Sequence, residues 1–182
     1  EDVRADSEIP IVAMISYSLV YRMGFERFLD RACRAGLDGA TIPDLPVEEM
    51  EDVQEQAAGS DFHVVCFVTP ATTPARRSMV IQHSAGFIYY IAVRGITGER
   101  RELPEDLARN LEELKSMTDV PVAVGFGISN EDQARVVARQ AEGVIVGSAI
   151  VRRINRSRQE GVDPVGPVTD FVGKMVRATK GL

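Results

Sequence analysis

The sequence has no surplus of positive charge. Lys and Arg number 21 against 27 Asp and Glu, a net charge of −6, which excludes a general binder of nucleic acid or anionic membrane. No apolar run approaches the ~18 residues that a membrane span needs. Cysteine is scarce. Cys33 and Cys66 are too few for a disulfide framework and lack CxxC spacing, which suits reduced thiols in a cytoplasmic protein. Histidine is equally scarce, and His63 and His83 with two scattered cysteines make no zinc pattern. The first residues, Glu1-Asp2-Val3-Arg4, are acidic and polar and unlike a signal peptide. An initiator Met is missing too, so residue 1 is not expected to be the natural start. With 45% apolar and 26% charged residues the chain is not disordered.

What is present is alternation. Apolar, β-rich runs occur at Ile11–Ser16, Gly39–Ile42, Val64–Val68, Phe87–Ile91, Pro121–Val124 and Gly143–Val146. Between them lie stretches with helical spacing, such as Phe25, Phe28, Leu29 and Ala32, or Leu103, Leu107, Leu111 and Leu114. Gly36 closes the helix near Phe25, Pro104 suits a helix start, and Ser129 with Asp132 resembles a capping box. Residues 1–7 read as a helix tail, Asn155–Pro167 as a polar break, and about Val168–Thr179 as a last helix. Met14, Met50, Met79, Met117 and Met175 are expected in the core. Strand and helix in turn mean a parallel sheet covered by helices. The expectation is one α/β domain over 1–182. A (β/α)₈ barrel needs eight units and ~250 residues. Six units are visible, so a barrel reading is N-terminally incomplete, whereas an open sheet would lack nothing.

Two glycine-bearing strand ends carry the first functional signal. Gly125-Phe126-Gly127-Ile128-Ser129 follows the fifth run and Gly147-Ser148-Ala149-Ile150-Val151 the sixth. Such turns let a backbone approach an anion and aim helix N-terminal N–H groups at it. Tight packing would explain one turn, whereas two on consecutive strands favour phosphate. The first is not a dinucleotide fingerprint, because the third glycine of GxGxxG would fall at Asn130. The run from Val93 to Arg101 contains Gly95, Thr97 and Gly98 and suits a lid or an ordinary charged loop. Asp44 follows a strand directly and is either a helix cap or a site residue. Pro46 suits a first helical turn, with Glu48 and Glu49 complementing its dipole. The cations Arg152, Arg153, Arg156 and Arg158 read as a solvated helix face or dipole complement rather than a phosphate grip.

In their order, Asp44-Leu45-Pro46-Val47-Glu48-Glu49, Gly95-Ile96-Thr97-Gly98, Gly125–Ser129 and Gly147–Val151, with Pro10-Ile11 and Leu19-Val20 before them, resemble the α subunit of tryptophan synthase. The resemblance runs from about residue 9 to the last helix. It implies a (β/α)₈ barrel that cleaves indole-3-glycerol phosphate to indole and glyceraldehyde 3-phosphate, a lyase step without cofactor in tryptophan biosynthesis. It implies phosphate on backbone N–H groups of Gly98, Gly127, Gly147 and Ser148. Phe126 and Tyr89 would flank the indole, and Thr97 would be the lid threonine. Asp44 and Pro46 would face a β subunit within a heterotetramer. The family's catalytic glutamate and aspartate lie on two strands with no counterpart in these 182 residues, so this chain alone is expected to be inactive. Val93 stands where many relatives have arginine. A non-catalytic phosphate-binding or regulatory subunit, or another phosphate-handling barrel enzyme, remain alternatives at this point.

Overall fold

The computed structural model describes residues 2–92, 103–125 and 127–181. Strands and helices alternate in the order expected: α1 (Asp2–Asp6), β1 (Val12–Met14), α2 (Tyr17–Met23), α3 (Phe25–Arg34), β2 (Gly39–Thr41), a 3-10 turn (Val47–Glu49), α4 (Met50–Ala57), β3 (His63–Val68), α5 (Pro74–Gln82), β4 (Ile88–Ile91), α6 (Leu107–Lys115), β5 (Val122–Gly125), α7 (Glu131–Ala138), β6 (Gly143–Ile145), α8 (Ser148–Gln159) and α9 (Val165–Lys180). The fold class is α/β, with six strand–helix units of the barrel type. The residues fall into two compact units, Glu1–Val68 with Thr72–Ile88, and Thr69–Ala71 with Tyr89–Leu182.

In the first unit β1, β2 and β3 lie side by side in chain order, parallel, with Met14 opposite Thr41 and Thr41 opposite Val65. β3 is buried along almost its whole length, as a helix-covered parallel strand must be. β1 is different: among the described residues it pairs with β2 alone, and Val12 and Met14, the latter expected in the core, are exposed. Met79 and Met117 also prove exposed, whereas Met50 and Met175 are buried.

The α3 stripe buries Phe28 and Ala32, and Phe28 meets Phe62 edge to face at 6.2 Å. The helix then stops by geometry. Gly36 takes a φ of 80°, its N–H donates to the Cys33 carbonyl, and Leu37 N–H donates to Ala32. This is the Schellman ending, which needs a left-handed residue. Arg4 lies against it, donating Nε to the Gly36 carbonyl at 2.7 Å and pairing with Asp38. Asp38 also accepts the Ile11 N–H at 2.6 Å. That bond, with Arg4, holds its carboxyl below the usual range despite some desolvation.

In the second unit β5 and β6 are parallel, with Gly125 opposite Ile145, and Ala92, just past β4, donates to the Gly125 carbonyl. Leu107, Leu111 and Leu114 form the buried stripe of α6. Leu103 and Pro104 precede that helix, because Leu107 N–H closes a turn onto Pro104 before the helix begins. The expected capping box is one residue out: Asn130 caps α7 by accepting Gln133 N–H, while Gln133 Oε1 accepts Ser129 N–H. The expected break at 155–167 shrinks to residues 160–164. α8 runs on to Gln159, with an Arg156–Glu160 pair one turn apart, and ends in a second Schellman turn at Gly161. α9 starts at Val165, with Pro167 in its first turn, where no intrahelical donor is required.

A Cβ at Gly36 would sit 2.5 Å from Arg4 Cγ as well as in the left-handed region. Gly36→Ala is therefore expected to cost at least ~1–2 kcal/mol, read as a lower urea midpoint at unchanged slope.

Candidate functional site

The two glycine turns meet by register. Gly125 and Ile145 are paired across β5 and β6, so Gly127 and Gly147 each lie two residues beyond a matched pair. Parallel strands are ~4.8 Å apart, and turns at equal offsets leave side by side. Gly127 has a φ of 86°, a conformation that favours glycine. Gly147 does not need its glycine for the same reason. Its φ is −116°, and among the described residues a Cβ there would have nothing within 4 Å. Neither backbone strain nor crowding among those residues calls for the missing side chain.

The two helix starts behind these turns differ. That of α7 is closed by the Asn130 and Gln133 side chains. That of α8 has no side-chain cap, and Gly147 and Ser148 are exposed there. α8 is twelve residues long, and the positive dipole end of such a helix favours an anion. The downstream arginines of α8 do not join this end. Arg153 donates to the Ala149 carbonyl and stacks 3.4 Å over the Phe171 ring, and Arg156 pairs with Glu160.

Tyr89 borders the same pair of strands. Along β4, Ile88 and Tyr90 are buried, while Tyr89 and Ile91 alternate to the other face and are half-buried. The Tyr89 ring lies on Gly125: an added Cβ would be 2.5 Å from the hydroxyl oxygen and 2.6 Å from Cε2. Burial pushes the Tyr89 phenol up from its ordinary value, so it stays protonated at neutral pH. In the sequence Gly125 is legible only as part of a motif. Its role as the floor beneath a tyrosine depends on a contact 36 residues away in sequence.

In the first unit, the loop after β2 is built around a turn closed by Leu45 N–H onto the Ile42 carbonyl. Ile42 and Leu45 are buried, and between them Pro43 and Asp44 project to solvent. Pro46 is half-buried in extended conformation before the 3-10 turn. Asp44 is a cap, but not of the helix that follows it. Its Oδ1 accepts the N–H of Tyr17, the first residue of α2, at 2.6 Å. The Tyr17 hydroxyl is tied to Glu49, and burial followed by the Glu49 charge raises its phenol. Glu49 thus does more than complement a dipole.

Of the other expected site residues, Thr97, Gly98 and Phe126 lie outside the described residues, as do Val93 and the rest of the lid run. No group of three or more His, Cys, Asp or Glu able to hold a metal occurs among the described residues. None of the described helices is long and apolar enough to cross a membrane. Cys33 is exposed and Cys66 buried, both as free thiols.

Comparison with known proteins decides the family. The family model for the tryptophan synthase alpha chain matches residues 1–180. The chain belongs to the tryptophan synthase alpha chain family. It is 42% identical to the tryptophan synthase alpha chain of Rhodopirellula baltica over 169 residues, which is 91% of this chain and 61% of that one. The alpha chain of Chloroflexus aggregans is 36% identical, with 94% and 63% covered. Among solved structures, a tryptophan synthase alpha chain from Legionella pneumophila superposes with a TM-score of 0.85 at 27% identity, covering 99% of this chain and 66% of that one. A structure of the tryptophan synthase a2b2 complex from Pyrococcus furiosus gives 0.82 at 32% identity, with 100% and 71% covered. The chain thus spans about three fifths of the length of the curated family members it matches.

The Tyr89–Gly125 contact gives a paired expectation. Gly125→Ala should cost ~1–3 kcal/mol by overpacking, measured by thermal melting. Tyr89→Ala in the same chain should recover part of that loss, since it removes the ring the new methyl strikes.

Proposed function

We propose that the protein works as a tryptophan synthase alpha chain. It cleaves indole-3-glycerol phosphate to indole and glyceraldehyde 3-phosphate, as a cytoplasmic lyase of tryptophan biosynthesis. The observation that carries this reading is the pair of register-matched glycine turns, one of them glycine with no need for it among the described residues, in a chain matched to the family over residues 1–180. The substrate's phosphate is held by N–H groups of Gly127, Gly147 and Ser148, joined by Gly98. A dianion there meets backbone donors and the positive end of α8, without a metal or a lysine. The indole ring lies beside Tyr89, with Phe126 as a second apolar wall, and Thr97 closes over the pocket. A tryptophan synthase β subunit docks at the loop bearing Asp44 and Pro46, giving an α2β2 assembly.

The chemistry constrains what else is needed. A retro-aldol step breaks the bond between the indole ring and the glycerol side chain and leaves the electron pair on the ring. The hydroxyl on the carbon attached to the ring must lose its proton as that carbon becomes the aldehyde, and the ring carbon must gain one. Two carboxylates with different proton affinities serve such transfers. The resemblance maps neither of the family's pair onto these 182 residues. Glu48 and Glu49 do not fill the gap: Glu49 is engaged by Tyr17, and both belong to the turn after the partner-facing loop.

Two experiments test the reading. The natural gene product containing these residues should release indole from indole-3-glycerol phosphate, detected as coupled tryptophan formation with a β subunit. The isolated 182-residue chain should not, and indole release by it would refute the assignment of the carboxylates. In the isolated chain, Gly147→Val should melt within ~1 kcal/mol of the parent, because surface changes rarely cost more. It should nevertheless lose at least tenfold in affinity for glycerol phosphate by NMR titration. Retained binding would remove Gly147 from the phosphate site.

A further inference from the structure

Met14 and Thr41 are paired across β1 and β2, and Ile15 N–H donates to the Thr41 carbonyl at 3.1 Å. From that matched pair each strand runs three residues on, one to Tyr17 and the other to Asp44. There the two loops are joined again by Tyr17 N–H and Asp44 Oδ1. The residue that should cap α2 does not do so. Ser16 has cap geometry but no side-chain bond to the helix, and its Oγ is turned to Ser18 Oγ at 3.0 Å. The first-turn donor is therefore satisfied from another loop, by a charged acceptor.

Asp44 is held for this task. Pro43 fixes the turn, Ile42 and Leu45 anchor it on both sides, and Leu45 N–H closes it. The carboxylate has one backbone partner, 27 residues away, rather than the local N–H that an Asx turn would use. A cap that crosses between loops couples them: displacing either loop breaks the bond that orders the other.

We propose that Asp44 is a positioning residue that makes the β1–α2 loop and the β2 loop one mechanical unit, so that a partner seated on the β2 loop is felt at the start of α2. This rests on the partner reading given above for Asp44 and Pro46. It adds that Asp44 acts through Tyr17 and not only by touching the partner.

A double-mutant cycle separates the two roles. Asp44→Ala removes the acceptor. Tyr17→Pro removes the donor while leaving the β2 loop untouched. Proline is suited to the first helical position, and Ser16 before it is already extended at φ −74°, ψ 145°. Tyr17→Ala keeps the N–H and controls for the lost ring, and Asp44→Asn keeps an acceptor oxygen. The readouts on the natural gene product are affinity for the β subunit by calorimetry and amide exchange across residues 17–20. Asp44→Ala should speed exchange in that turn at least tenfold and weaken the β subunit at least tenfold. Asp44→Asn should recover most of both. Tyr17→Pro, compared with Tyr17→Ala, should weaken the partner as Asp44→Ala does, and the double variant should be no worse than either. Additive losses, or full affinity in Tyr17→Pro, would overturn the proposal and leave Asp44 as a direct contact. Unchanged exchange in Asp44→Ala would overturn the join itself. A parent protein that binds no β subunit would overturn the partner reading, while the exchange result would still decide whether the two loops are joined.

Discussion

Parallel register is the constraint on which the site depends. When two strands run side by side in the same direction, residues at equal offsets past a paired position emerge together. The chain uses this twice. Past Gly125 and Ile145 it places Gly127 and Gly147, which offer bare backbone. Past Met14 and Thr41 it places Tyr17 and Asp44, which bond to each other. A one-residue slip in either pair would leave the strands hydrogen-bonded but separate the groups that matter. Register therefore turns a secondary-structure property into a functional one.

Around the first of these pairs the protein also leaves one thing undone. Asn130 and Gln133 close the start of α7 with side chains. The start of α8 has no such closure and no side chain at Gly147 to cover it. A glycine cap in place of Ser, Thr, Asn or Asp forgoes only about a few tenths of a kcal/mol of helix stability. α8 recovers part of this downstream, through the Arg153–Phe171 stack and the Arg156–Glu160 pair. Among the described residues the helix is fastened at its far end and left without a side-chain cap at its start.

Much of the architecture is legible in the amino-acid order alone. All six strands lie within a residue or two of the apolar runs, because buried parallel strands write their hydrophobicity continuously. The family is legible in ordered short motifs. The sequence misleads where polar residues serve structure. Residues 155–159 look like a loop because α8 is largely solvated there, and the real stop, Gly161, is one left-handed residue. The α7 cap falls one residue later than expected because Ser129, Asn130 and Asp132 all have capping chemistry. Met14 looks like core because hydrophobicity does not state how many neighbours a strand has. Asp44 reads as a cap, but the sequence does not say which helix it caps, since that partner is 27 residues upstream. Resemblance alone sets Tyr89 at the pocket, whereas its dependence on Gly125 arises only when the chain folds and brings β4 against β5.

Arg4 holds a different kind of leverage. The helix around it, α1, has no buried residue over Asp2–Asp6. One side chain docks it, reaching the carbonyls of Gly36 and Ile9 and the carboxylate of Asp38, which in turn takes the Ile11 N–H. Arg4, Ile9 and Ile11 and the turn before β2 are thus held through one ion pair, so loosening that turn would free residues 4–11 with it.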